Sequence, residues 1–212
     1  MGHKACRVVR LGSHGFTLAE VLIVMAIIGV VLGAIYGVFT SSNRSYRTQD
    51  RVATAQQSVR AGIRFMVEDI RMAGLDPYGT AGAGIEDASG TRIRFTADTW
   101  NVPIGSSDEP GPPDGDTDDK FERITYSYDV GELRRCLYEG TGSETWQPLI
   151  DNVSALSFTY LDASGNDLGD PPPDPSEIRT VEISMTVQET DAQYQPFTRT
   201  LTTRVSCRNL GL

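Results

Sequence analysis

The chain has 212 residues and a formal net charge of −9, enough for one ordinary domain with an appended element and too few for two large domains. The charge is divided by region: residues 1–15 carry three basic residues and no acid, whereas residues 75–212 carry ten Lys+Arg against 24 Asp+Glu, a net −14. An acidic distal part disfavours nucleic acid as a partner there, since phosphate contact needs positive charge.

The chain opens on a basic, polar stretch, Met1–Gly15, containing Lys4, Arg7 and Arg10. Gly15-Phe16-Thr17-Leu18-Ala19-Glu20-Val21 follows at once, and only then comes an apolar run. From Val21 to Phe39, 19 consecutive residues carry no charge. As a helix rising ~1.5 Å per residue this run covers ~28 Å, close to the ~30 Å hydrocarbon core of a bilayer. It is apolar all round rather than striped, which points to lipid before a globular interior. The order also differs from a secretory signal, in which the small-residue cleavage site follows the apolar stretch. No such site ends this run, so the apolar segment is expected to be retained.

Glu20 stands out within it. A carboxylate in a spanning segment costs roughly 2.5–3.5 kcal/mol at mid-bilayer and less near the end, so such residues usually have a partner or reach for the headgroups. Gly29, Gly33 and Gly37 fall four apart on one helical face, a spacing that permits close helix packing.

Beyond the apolar run, Val52, Ala55, Val59, Ile63, Met66, Ile70 and Ala73 recur in steps of three and four, an amphipathic helix that Gly74 and Pro77 should end. Six Arg decorate residues 40–74 against Asp50, Glu68 and Asp69. No proline interrupts Phe16–Gly74, so one long helix is predicted. The remainder alternates apolar with polar at Ile93–Phe95, Ile124–Tyr128, Leu156–Tyr160, Val181–Val187 and Leu201–Val205, with a shorter strand-like segment at Leu133–Tyr138. The fold class is therefore α+β, a long N-terminal helix packed on an antiparallel β-sheet head. Two loops rich in Asp, Gly and Pro, Gly105–Lys120 and Asp162–Glu177, connect its strands.

The Gly15–Val21 motif, with a short basic leader before it and a full span after it, resembles the type IV prepilin family. The resemblance implies cleavage by a prepilin peptidase between Gly15 and Phe16, N-methylation of Phe16, and a role for Glu20 in assembly. Cleavage would create an ammonium at Phe16, a partner for Glu20 on the same or a neighbouring chain; snorkelling to the headgroups is the other reading. The implied divisions are a leader at 1–15, a transmembrane or filament-core half of the helix at 16–39, an amphipathic half at 40–74 and an acidic head at 75–212. Ser45–Gln49, Gln56-Gln57 and especially Asp69–Pro77 are similar to PilW-like minor pilins, and Asn152-Val153 leading to Leu156–Leu161, with the Val205–Asn209 ending, resemble both that group and the J-type pseudopilins of type II secretion. As partners the resemblance implies other minor and major pilins, an inner-membrane assembly platform and a pilus-tip adhesin. It places the leader in the cytoplasm and the head in the periplasm before passage into a surface pilus.

In that compartment, Cys136 and Cys207 are expected to form a disulfide, being the two cysteines left once Cys6 departs with the leader. The competing reading is two buried thiols. Enzymatic chemistry is not expected. Both histidines, His3 and His14, lie in the leader, which removes His-based triads and most zinc sites, and no Gly-rich phosphate loop follows a strand. No cofactor is implied. A DNA-capturing role for the Arg-rich helix conflicts with the head's need for that helix. Asp114-Gly115-Asp116-Thr117-Asp118-Asp119 alternates acids as calcium loops do, making Asp114, Asp116 and Asp118 a weak calcium candidate. The loop lacks the sixth-position glycine and the closing acid at the twelfth, where Thr125 falls, so a solvated loop is the first reading.

Overall fold

The computed structural model describes residues 15–99, 111–119, 121–138, 144–190 and 196–211. The leader residues 1–14, and with them Cys6, His3 and His14, lie outside the described residues, as does much of the Gly105–Lys120 loop. Two compact units divide the chain, one to Tyr46 and the other from Arg47 onward.

One helix, α1, runs Leu18–Met72, 55 residues. In the second unit its buried positions are Ala55, Val59, Gly62, Ile63, Met66 and Ile70, the stripe expected from the periodicity with Gly62 added and Val52 only half-buried. Met66 and Ile70 retain no exposure. The helix stops where the sequence said it would. Gly74 adopts φ +78°, a left-handed conformation that a residue with a Cβ resists, and its N–H donates to the carbonyl of Thr96 at 2.9 Å. The end is closed from elsewhere in the chain: the Asn209 side-chain amide donates to the carbonyl of Arg71 at 3.2 Å. That bond meets one of the orphan acceptors of the last turn.

The strands form two antiparallel sheets. The first is a five-stranded meander of β1 (Ile85–Ser89), β2 (Arg92–Thr96), β3 (Arg123–Asp129), β4 (Glu132–Leu137) and β5 (Thr145–Ile150), in that spatial order. The second has three strands, β6 (Val153–Leu161), β7 (Thr180–Thr190) and β8 (Pro196–Ser206), with β7 central. Of these, β1 and β5 are additions to the expected set. They are the two edges of the first sheet, and their sequences suit edges: β1 carries Glu86 and Asp87, and Pro148 in β5 pairs with Arg134 beside a register shift.

One hydrophobic cluster joins the α1 stripe to both sheets. Ile93, Phe95, Tyr126 and Leu133 come from the first sheet, and Phe158, Tyr160, Ile183 and Met185 from the second. Cross-strand partners share its face: Phe158 lies opposite Ile183, and Tyr160 opposite Val181. Tyr160 also ties the sheets, its hydroxyl donating to the carbonyls of Ser89 and Arg92 at 2.8 and 2.9 Å. The other face of β7–β8 is polar, with the hydroxyls of Thr186 and Thr200 bonded at 2.8 Å. Asp69 supplies the charged joint between α1 and the first sheet. It accepts from the hydroxyl of Tyr126 and from Arg135 at 2.8 Å, two residues that pair across β3 and β4. Burial, then the nearby Asp69 charge, pushes the Tyr126 phenol above its ordinary pKa.

The disulfide expected between Cys136 and Cys207 is not formed; both thiols are buried. Strand alternation explains it. Arg135 reaches α1, so Cys136, the next residue of β4, lies on the sheet's opposite face. Cys207 belongs to the core cluster and Cys136 does not. The first sheet stands between them. Burial pushes the Cys207 thiol up to about 12, partly opposed by the Arg179 charge.

Two outcomes follow from this packing. A Cβ built on Gly62 meets Ile150 Cδ1 at 1.9 Å and Cγ1 at 2.9 Å. Gly62→Val should therefore destabilise the head by about 1–3 kcal/mol through overpacking. Urea denaturation of the detergent-solubilised chain measures it, with Ala61→Val, at an exposed neighbour, as the control for helix propensity. For the cysteines, native protein at pH 8 should resist iodoacetamide at Cys207, and denaturation without reductant should make both Cys136 and Cys207 alkylatable. Because the Cys207 pKa is raised on folding, its contribution to stability is complete below the ordinary thiol range. It should be lost as pH climbs from there through about 12.

Candidate functional site

The N-terminal unit enters its helix through a closed hydrogen-bond ring. The N–H of Thr17 donates to Glu20 Oε2 at 2.8 Å, the Thr17 hydroxyl donates to the same oxygen at 2.9 Å, and the N–H of Glu20 donates to Thr17 Oγ1 at 3.3 Å. This is a capping box, Thr-x-x-Glu, in which the cap residue and the third helical residue satisfy each other's backbone donors. Thr17 therefore sits just before the first helical residue, Leu18, and Glu20 is held over the helix start rather than turned outward at random. Phe16 precedes the cap and is 86% exposed.

From Val21 to Phe39 the large apolar side chains are exposed among the described residues. Val30 and Val38 are 75% and 70% exposed, and the 18-residue window most suited to a bilayer has none of its residues buried. Gly29, Gly33 and Gly37 share one face, and a Cβ on any of them would meet nothing within 4 Å. So much exposed apolar surface in a row is unfavourable in water. It fits a segment whose surroundings are lipid or other helices.

A family model described as the prokaryotic N-terminal methylation motif matches residues 10–36, which include the Gly15-Phe16 junction, the capping box and most of the apolar run. Among curated proteins, the chain is similar to the pilin-like protein PilA3 of Thermus thermophilus. The two are 27% identical over 173 residues, covering 73% of this chain and 70% of the relative. The motif and this likeness together support a type IV pilin-like protein.

That likeness indicates a structural subunit rather than an enzyme, and the pilin family implies in general contact with other pilins and with prepilin peptidase. The apolar N-terminal helix suits membrane anchoring and assembly into a pilus. The capping box is legible in the sequence, although the sequence reading above does not include it. Thr17-Leu18-Ala19-Glu20 before an apolar run is a helix-start signature in its own right, independent of the charge that Glu20 brings to the apolar segment.

The remaining predicted residues fall in the head. Of the alternating acids, Asp116 and Asp118 are exposed and bonded along the loop: the N–H of Asp116 donates to Asp114 Oδ1 at 3.4 Å, and that of Asp118 to Asp116 Oδ1 at 3.1 Å. A hydrogen bond to the Asp116 carboxylate, then its charge, raises the Asp118 pKa. Asp114 is instead brought to two other acids, Asp98 and Glu122. The Asp69–Pro77 segment acquires a physical role as the joint where α1 ends. Asp69 binds β3 and β4, Gly74 turns the chain, and Asp76 accepts from the N–H groups of Thr80 and Gly82 at 3.1 and 3.0 Å.

Proposed function

We propose that this chain is a PilW-like minor pilin, a subunit that helps initiate or cap a type IV pilus. Prepilin peptidase cuts between Gly15 and Phe16 and methylates Phe16. Residues 16–39 then occupy the membrane and later the filament core, residues 40–74 form the spine of the head, and residues 75–212 form the acidic head. Before assembly the leader is cytoplasmic and the head periplasmic; afterwards the head lies at the cell surface. Its neighbours are the inner-membrane assembly platform, other minor and major pilins, and a pilus-tip adhesin.

The observation that carries this reading is the uncovered apolar half of α1, entered through an anchored carboxylate. A soluble domain gains nothing from 19 uncharged residues without an interior to fill. A filament subunit needs them, because its neighbours supply the interior. The face of Gly29, Gly33 and Gly37 allows a neighbouring helix to approach closely, as small residues do wherever helices pack in lipid. Glu20 has a part to play once cleavage exposes the Phe16 ammonium. A charge pair between chains can form in apolar surroundings, where an unpaired carboxylate is expensive. The Thr17 cap survives cleavage, so the carboxylate is already oriented when that ammonium appears.

Processing and the role of Glu20 are tested together. Intact mass spectrometry of membrane-extracted protein should find residues 16–212 with one added methyl group. Glu20→Gln preserves a capping residue but removes the charge. It should be cut and inserted normally yet be depleted from sheared filaments by about tenfold, the size expected when a pair worth ~1.4 kcal/mol is lost. Wild-type incorporation of Glu20→Gln would leave Glu20 as a cap alone. Deleting the gene in its host should abolish or sharply reduce surface pili while secretion of folded exoproteins continues. The reverse outcome would assign the chain to the J-type pseudopilins.

A further inference from the structure

The end of the first sheet nearest the loop after β2 holds two buried acids, and one oxygen of Asp98 accepts no hydrogen bond among the described residues. Asp98 follows β2 by two residues and Glu122 immediately precedes β3. Since Thr96 pairs with Arg123 and the N–H of Ala97 donates to the carbonyl of Glu122 at 2.9 Å, the two acids emerge side by side from the same end of one ladder. Neither has any solvent exposure. The loop that follows brings Asp114 to them, and Gly115 permits the approach. With φ +94° it donates its N–H to Asp98 Oδ2 at 3.1 Å, while its carbonyl accepts from the hydroxyl of Thr80 at 3.0 Å.

Carboxylate oxygens of Asp98, Asp114 and Glu122 lie within 4.8 Å of one another. Two of these side chains are already fixed. Glu122 accepts from the N–H groups of Thr99 and Asp119, each at 3.1 Å, and Asp98 Oδ2 accepts from Gly115. The exception is Asp98 Oδ1. It is buried and accepts no hydrogen bond from any described residue. A buried carboxylate oxygen with no partner is costly, and native structures seldom keep one without a ligand, a proton or an ion.

We propose that Asp98, Asp114 and Glu122 form a calcium site, with Asp98 Oδ1 as its inner ligand and Asp114 closing it from the exposed rim. The donor set is all oxygen, which selects a hard cation over zinc or copper. An oxygen separation of up to 4.8 Å is what two ligands at about 2.3–2.6 Å from one calcium can span. A span of up to 4.8 Å suits calcium better than the shorter, near-octahedral shell of magnesium, whose ligands at about 2.0–2.1 Å stand closer together. Burial, together with the charges of Asp114 and Asp76, raises the Asp98 pKa against the opposing backbone hydrogen bonds of Gly115 and Asp114. A divalent cation would offset that same repulsion. The site pins the loop carrying Asp114 to the end of the β2–β3 ladder. It shares only Asp114 with the alternating acids of the loop.

Calorimetric titration of the full chain in detergent, stripped with EDTA and titrated with calcium chloride alone, provides the test. One calcium per chain is expected, with a dissociation constant at or below the ~10⁻³ M typical of extracellular calcium modules. Asp98→Asn and, separately, Asp114→Asn should each weaken binding about tenfold or more, whereas the combined Asp116→Asn, Asp118→Asn variant should bind within about twofold of wild type. Asp114 lies on the exposed rim, so its variant reports on binding even if Asp98→Asn disturbs folding. The proposal is overturned if no calcium binds up to about 5 mM, several times the weakest such modules. Unchanged affinity in Asp114→Asn, or loss only in the Asp116, Asp118 variant, overturns it equally, as does tighter binding of magnesium than calcium.

Discussion

The stripe of α1 from Ala55 to Ala73 packs into a single cluster with both sheets, and the head is organised around that contact. Removing water from Ile63, Met66 and Ile70 on the helix and from Ile93, Phe95, Phe158 and Ile183 on the strands supplies the main drive for folding. Fixing the helix there also fixes everything attached to its end. Gly74 turns beneath Thr96, Leu75 takes the N–H of Asp98 at 2.7 Å, and Asp76 holds the following turn. Asp69 adds direction to what apolar burial leaves unspecific, since Tyr126 and Arg135 can meet it only at one register of β3 against β4. Gly62 marks how closely the surfaces approach, because the space a side chain would take is occupied by Ile150.

The same helix shows the opposite regime before Tyr46. There the apolar residues are continuous rather than striped, and none of the large ones from Val21 to Phe39 is buried. Periodicity in a sequence records which faces of a helix have partners within the chain, and its absence over a long run records a need for partners all round. One element thus carries two patterns, and the change from one to the other separates what the chain satisfies for itself from what a membrane or other subunits must supply.

Legibility in the sequence followed the range of the interactions. The helix stripe, its glycine stop and most inner strands are local patterns, and each was readable from spacing alone. Edge strands β1 and β5 were not, because acids and a proline suit an edge that lacks one neighbour and erase the alternation of a half-buried strand. The separation of Cys136 from Cys207 was equally hidden. Counting two cysteines in an oxidising compartment favours a bond, but which face of β4 carries Cys136 depends on a register fixed by Asp69, 67 residues earlier in the chain. Asp98 and Glu122 escaped for the same reason. Each is an ordinary acid beside a strand until the pairing of Thr96 with Arg123 sets them together.

On the proposed reading, Glu20 serves two stages without conflict. A carboxylate at the third helical position is stabilised locally by the Thr17 N–H and hydroxyl, and the positive end of the helix dipole favours negative charge there. Those interactions depend on Thr17, which lies beyond the Gly15-Phe16 junction and stays with the helix after a cut at that point. The cap therefore reduces the penalty of keeping a carboxylate at the membrane end of an apolar helix and restricts where that carboxylate can point. Hydrogen bonds of this kind engage one oxygen, Oε2, from a single side. The charge remains accessible to a cation arriving from another direction, which is what a newly exposed N-terminal ammonium would be. On the proposed reading, capping prepares Glu20 for assembly by holding the charge in place before its partner exists.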